Sequence, residues 1–192
     1  MMLVDVIIPL VFLLNFQISN SNYFEGFVTY THEYSIDSLS HFYGDSSVYF
    51  FKEGNYKQVF NGEKVKLSLY DVDSNKIISI VNSDTIVTDC SKKSEDILGY
   101  EVTEDAETVF GKPCDLLVLR TNRRTVYYFY NDDLSIDPIR MSGHEYSSLS
   151  FIYSKTSALP LKIVNRYANF SVTMTAVDVR KTSLEEGIFD LK

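Results

Sequence analysis

Apolar and polar residues alternate with period two along most of this chain. In FEGFVTYTHEY, Phe24, Val28, Tyr30 and Tyr34 fall on one side and Glu25, Thr29, Thr31 and Glu33 on the other. That pattern marks a strand with one buried face. SVYFF and YKQVF repeat it on either side of Lys52-Glu53-Gly54-Asn55, a hairpin with glycine in the turn. KVKLSLY places Val65, Leu67 and Leu69 inward and Lys64, Lys66 and Ser68 outward, and NKIISIV and DTIVTDC follow across a polar turn. Near the end, PLKIVNRY is one strand and NFSVTMTAVDV another, with Phe170, Val172, Met174 and Ala176 opposed to Ser171, Thr173 and Thr175. Short strand, polar turn, short strand predicts an antiparallel meander, not alternating strand and helix.

One hairpin departs from this alternation. In GKPCDLLVLRTNRRTVYYFY, Leu117 and Leu119 share a face, Tyr127 and Phe129 share a face, and the opposite faces are apolar as well. A half-buried sheet needs only one apolar face. Two such faces require that both be covered or that one line a cavity. A cover is at hand in a predicted helix near residues 143–154. Ser142 and Glu145 form a capping box there, and Met141 and Tyr146 stand at staple positions. Tyr146, Leu149, Ile152 and Tyr153 make one apolar stripe, and Pro160 forbids continuation. A shorter helix is predicted from Ile36 to Tyr43, stopped by Gly44, and TSLEEG reads as a single turn before an Ile188-Phe189 anchor.

Composition narrows the classes. The 192 residues carry 14 Tyr, 13 Phe and no Trp, with no low-complexity tract, internal repeat or linker, so a single globular domain from 22 to 192 is expected. The formal net charge of −8 would repel nucleic acid. The local basic cluster Arg120, Arg123 and Arg124 reads as a solvated turn, with contact to anionic lipid headgroups or an acidic partner as the alternative. The opening segment, residues 1–21, is read as a signal peptide. Its apolar run from Val6 to Ile18 is too short to span a bilayer, and small residues follow at Ser19 and Ser21. Its n-region has Asp5 and no basic residue; the first is Lys52. A buried N-terminal strand or helix is the other reading. Export implies a periplasmic or secreted protein, and there Cys90 and Cys114, each at a strand end, form one disulfide or remain two buried thiols.

The search for chemistry ends without a catalytic set. YDVDSNK starts like a calcium loop with Asp71, Asp73 and Asn75, but Lys76 stands where glycine is needed and Asn82 where a bidentate glutamate is needed. His32, His41 and His144 lack metal-ligand spacing; His32 reads as a satisfied strand histidine and His144 as a surface residue. No nucleophile elbow or phosphate-cradling loop occurs, and Asp132, Asp133 and Asp137 read as solvated loop acids. The expectation is a protein that is not an enzyme and uses no cofactor or metal.

FVTYTHEY, VYFFKEGNYKQVF, GKPCDLLVL followed by TVYYFYNDDLSIDP, ALPLKIV and the closing FDL resemble exported Bacteroidota-type proteins with the LolA-like and LolB-like lipoprotein-carrier fold. The resemblance spans most of residues 24–192. It carries no individual functional residue, and the absent basic n-region departs from it. It implies a β-rich α+β fold: a strongly curved antiparallel half-barrel sheet with one or two helices lidding the concave face. It also implies a hollow for acyl chains. Joined to the doubly apolar hairpin and its helix, it makes Leu117, Leu119, Tyr127, Phe129, Leu149, Ile152 and Tyr153 the expected cavity lining. The function so implied is a monomeric carrier of a lipid or acylated protein in the cell envelope, with transient membrane contact. The alternative is a structural or protein-interaction module.

Overall fold

Turn chemistry sets the strand pairing. A computed structural model describes residues 23–191. In it, three hairpins close through two-residue turns whose central residues have positive φ: Glu53 and Gly54 (49° and 89°), Asn82 and Ser83 (51° and 71°), Phe110 and Gly111 (51° and 71°). Such turns match the right-handed twist of the strands they join. The predicted Gly54 turn is one of them.

The strands β1 (Gly26–Tyr34), β2 (Ser46–Lys52), β3 (Asn55–Phe60), β4 (Val65–Asp71), β5 (Lys76–Val81) and β6 (Asp84–Asp89) step as a meander from the middle of the sheet to one edge. The strands β7 (Ile97–Val109), β8 (Lys112–Thr121), β9 (Arg124–Ser135), β10 (Ala158–Tyr167) and β11 (Ser171–Lys181) return from the other edge. There β11 pairs with β1 and joins the two meanders into one 11-stranded antiparallel sheet. Gly26 sits in that seam. A Cβ there would lie 2.0 Å from the Arg180 carbonyl oxygen, so only glycine allows the two backbones to meet.

The sheet has to curl. Its first and last neighbours, β6 and β7, are consecutive in the chain and joined only by residues 90–96. Eleven flat strands would put those edges about 48 Å apart, whereas a seven-residue connection reaches at most about 28 Å. The result is the expected strongly curved, unclosed antiparallel sheet with two short helices. Helix α1 (Asp37–Tyr43) matches the predicted span, and α2 (Leu149–Thr156) packs on β8 and β10.

Helix α2 begins later than its apolar stripe predicts. Ser147 and Ser148 both take left-handed backbone angles (φ 57°), so residues 146–148 form only a 3₁₀ turn, and no side chain caps the helix. Ser142 and Glu145 therefore make no capping box. The helix stops at Ser157 (φ 47°), three residues short of Pro160. Pro160 in turn lies where the register between β10 and β9 shifts, the place in a sheet that tolerates a missing N–H.

The inner face holds the main core. Val28, Tyr30, Phe51, Tyr56, Tyr70 and Tyr128 are buried there together with Ile152 and Tyr153 of α2. The register pairs Tyr56 with Tyr70, so Leu67 and Leu69 of β4 fall on the opposite face. They are not inward residues as the alternation alone suggests. A C-terminal 3₁₀ turn, Glu186–Phe189, comes up beside Leu69, and Lys57 fastens it by donating to the carbonyls of Ile188 (2.9 Å) and Asp190 (2.7 Å). Both cysteines are free, a correction to the pairing considered above. Each is buried and turns its thiol to a carbonyl two residues earlier, Cys90 to Thr88 and Cys114 to Lys112. The expected signal peptide lies outside the described residues.

Candidate functional site

The hairpin of β8 and β9 turns on Asn122 and Arg123, and a two-residue turn sets residues of opposite parity across from each other. Leu117 faces Tyr128 and Leu119 faces Val126, while Leu116 faces Phe129 and Val118 faces Tyr127. Directly opposed residues in an antiparallel pair share a side of the sheet. Leu117 and Leu119 therefore point inward, and Tyr127 and Phe129 point outward. The four do not converge on one hollow, which corrects the expected lining. The outer rings are roofed by long cations of β10: Lys162 Nζ stands 5.1 Å from the Phe129 centroid and the Arg166 guanidinium 5.1 Å from that of Tyr127. Their aliphatic stems cover apolar surface while the charges stay in water. Both faces of the greasy hairpin are thus covered.

Inside, Leu117 and Leu119 lie fully buried with Ile152 and Tyr153, and Leu149 packs against their edge. These five residues do come together, as filled core. The Tyr153 phenol is buried close to those of Tyr49 and Tyr128, and its ring meets that of Tyr128 edge-on at 6.5 Å. Tyr30 and Tyr128 donate to the carbonyls of Pro160 (2.7 Å) and Ala158 (2.8 Å). Burial pushes the Tyr153 phenol up to about 12 and those of Tyr49, Tyr56 and Tyr128 well above their usual range. These phenols are neutral, and those of Tyr30 and Tyr128 fasten the start of β10. His144, expected at the surface, is fully buried. Its ring lies 4.4 Å from that of Tyr70, tilted by 46°, and its Nε2 lies 3.0 Å from the Tyr56 hydroxyl, while Nδ1 has no partner among the described residues.

The inner face is open at its other end. There α1 stands over the sheet and leaves a cleft of about 240 Å³. Strands β1, β3, β10 and β11 supply its floor, including Phe60, Val172 and Met174; Leu39 and Tyr43 of α1 form one wall; Tyr167 and Phe170 close the other, stacked at 4.5 Å. Three polar side chains, His32, Gln58 and Asn165, complete the lining.

Those polar groups are largely committed to the protein itself. Gln58 donates to Ser47 Oγ (2.9 Å), and Ser47 Oγ lies 2.8 Å from His32 Nε2. His32 Nδ1 lies 2.9 Å from the Tyr34 hydroxyl, which donates to the Gly44 carbonyl (3.0 Å). The two ends of this chain fix the middle. Tyr34 uses its proton on a carbonyl, so it accepts from His32 Nδ1–H, and His32 Nε2 accepts from Ser47. The arrangement needs a neutral ring. Burial lowers the His32 pKa to about 4, against a small upward pull from Asp45. The expected satisfied strand histidine is what the chain contains.

Arg124 lies behind Asn165 and was not legible as a buried residue. Its guanidinium binds Glu95 twice (2.9 and 3.2 Å), the Ser147 carbonyl (3.0 Å) and Asn165 Oδ1 (2.6 Å). Burial raises the Glu95 carboxyl, but the Arg124 hydrogen bond and charge, helped by Thr121 and Ser148, outweigh that and hold it below its usual value. One of the three turn arginines is therefore an internal bolt. It joins the 90–96 connection, the β8–β9 hairpin and the start of α2. Arg120 and Arg123 remain exposed, on Glu101 and the Ser94 carbonyl. No pattern in the sequence marked Glu95 as the partner of Arg124.

No protein-family model matches the chain, and no curated protein matches it. Among solved structures it is similar to PNGF-II, at 13% identity and a TM-score of 0.47, over 86% of this chain and 30% of that one. It is also similar to LprF from Mycobacterium bovis, at 11% identity and a TM-score of 0.33, over 82% of this chain and 90% of that one. Both scores fall below the level at which a common fold follows.

Proposed function

We propose that this is a non-enzymatic, exported binding protein that takes an apolar group into the cleft under α1. The reading rests on one observation: a concave space walled by rings and aliphatic side chains, whose polar members are hydrogen-bonded to other groups of the protein. A site of this make-up favours a chain or ring without charge at its tip. Its size sets the scale. At about 240 Å³ it is smaller than the roughly 300–1,000 Å³ of drug-sized sites, so it suits one acyl chain end or one aromatic group and not a multi-chain lipid. Burying about six methylenes would supply about 5 kcal/mol, a dissociation constant of order 10⁻⁴ M. A carrier with that affinity releases its ligand readily.

Octanoate titration tests the reading by NMR. The Met174 methyl and the Phe60 and Phe170 rings should shift in a saturable way, and Val172→Trp, which fills the space, should abolish the shifts. Unchanged Met174 and Phe170 signals at saturating octanoate, or identical shifts in the Trp variant, would sink it.

A further inference from the structure

Strand β7 ends the sheet, and among the described residues no strand pairs with its outer side. An open edge of this kind is a template for another strand, and proteins commonly blunt it. Here only the second half is blunted. The register with β8 breaks between Thr103 and Glu107, and Asp105 takes a φ of 49°. The first half, residues 97–103, keeps its pairing with β8 apart from one shift beside Leu98. It also leaves large apolar side chains in water: Leu98 is 71% exposed, Tyr100 48% and Val102 46%. Tyr100 and Val102 sit opposite the buried Leu119 and Leu117, so they continue the inner apolar face to a point where the sheet simply stops.

A groove runs beside this edge. Its far wall is α2, whose Phe151 ring meets Tyr100 at 5.2 Å with Lys155 over both rings. Where the strand begins, Ile97 and Phe151 wall a cleft of about 540 Å³ that also holds Lys93, Glu95, Asp96, Glu145 and Ser150. The Glu95 charge is matched by Arg124. Within the cleft Asp96 and Glu145 remain against one lysine, Lys93, while Lys155 stands over the Tyr100 and Phe151 rings beside it. An edge with this charge disfavours a second copy of itself in a chain of net charge −8. It favours a cationic partner.

We propose that residues 97–103 of β7 take an extended segment of another protein as a twelfth strand. Its apolar side chains cover Tyr100 and Val102, and a lysine or arginine reaches the cleft between Asp96 and Glu145. Main-chain hydrogen bonds supply the affinity and the acidic cleft selects the sequence. This surface is separate from the cleft under α1, so either can hold without the other.

Hydrogen exchange on the full chain tests it with two blocked peptides, Arg-Val-Thr-Val-Lys-Val and Glu-Val-Thr-Val-Glu-Val. The cationic peptide should slow exchange of the amides of residues 97–103 about tenfold or more at saturation, and the anionic one should leave them unchanged. Val102→Lys, an exposed edge position, should remove the protection while leaving the thermal midpoint in place. Glu145→Gln should weaken cationic binding by about twofold to fivefold. Absence of protection by the cationic peptide overturns the proposal, as does equal protection by both peptides. Protection that rises with protein concentration alone also overturns it, because a second copy then occupies the edge.

Discussion

Two histidines set the acid limit of this protein. Burial holds both His32 and His144 near 4, against 6.5 for a free ring, outweighing the upward pull of Asp45 on His32 and of neighbouring backbone groups and Glu145 on His144. Between those values the unfolded chain takes up protons that the folded chain refuses. The stabilisation is therefore fully present above about pH 6.5 and is lost as the pH falls toward 4. Each ring accounts for at most on the order of 3 kcal/mol. The melting temperature should decline from pH 6.5 to 4, and the double variant His32→Gln, His144→Gln should show a shallower decline; equal slopes would rule the histidines out as the cause. Glu95 acts in the same sense from lower pH, because its depressed carboxyl stabilises the fold only while ionised. Glu95→Gln leaves the Arg124 charge buried without its counter-ion and should cost about 3–5 kcal/mol in urea unfolding. Adding Arg124→Met should recover part of that loss, and a double variant worse than the single one would contradict the pairing.

Helix α2 is held to the sheet by its buried Ile152 and Tyr153 more than by its ends, which carry no side-chain caps. Tyr153→Phe removes the group that Tyr49 and Tyr128 both meet and should cost about 1–3 kcal/mol in denaturant unfolding, with the midpoint moving and the slope unchanged. A change below a few tenths would show that the three phenols are not coupled. The elements themselves were largely legible in the sequence. Period-two alternation located most of the strands but not β7, Gly54 located a turn, and the Ile36–Tyr43 stripe located α1. Side-chain facing was less legible. The parity of Leu117 against Tyr127 depends on the residue count of the Asn122-Arg123 turn, and the facing of Leu69 depends on its pairing with Lys57. Neither follows from alternation within a single strand. The cleft was hidden for a related reason, because its walls come from strands far apart in the chain that meet only across the β1–β11 seam.

The two meanders form one sheet only through that seam, so the molecule should open as a unit. Cys90 packs at the end of the first meander and Cys114 lies in the second, and both thiols are buried. Under mild denaturant, where reclosing outruns labelling, Cys90→Ala and Cys114→Ala variants should react with a thiol reagent at the same rate, set by global unfolding. A thiol that reacts much faster in one variant would show the halves parting separately. The 90–96 connection adds a constraint of a different kind. It acts as a bowstring between the tips of the sheet, too short to let the bow straighten and bolted close to its β7 end by Glu95 and Arg124. The aperture between the tips is thus governed by chain length, and a molecule approaching from that side meets an opening of nearly fixed width.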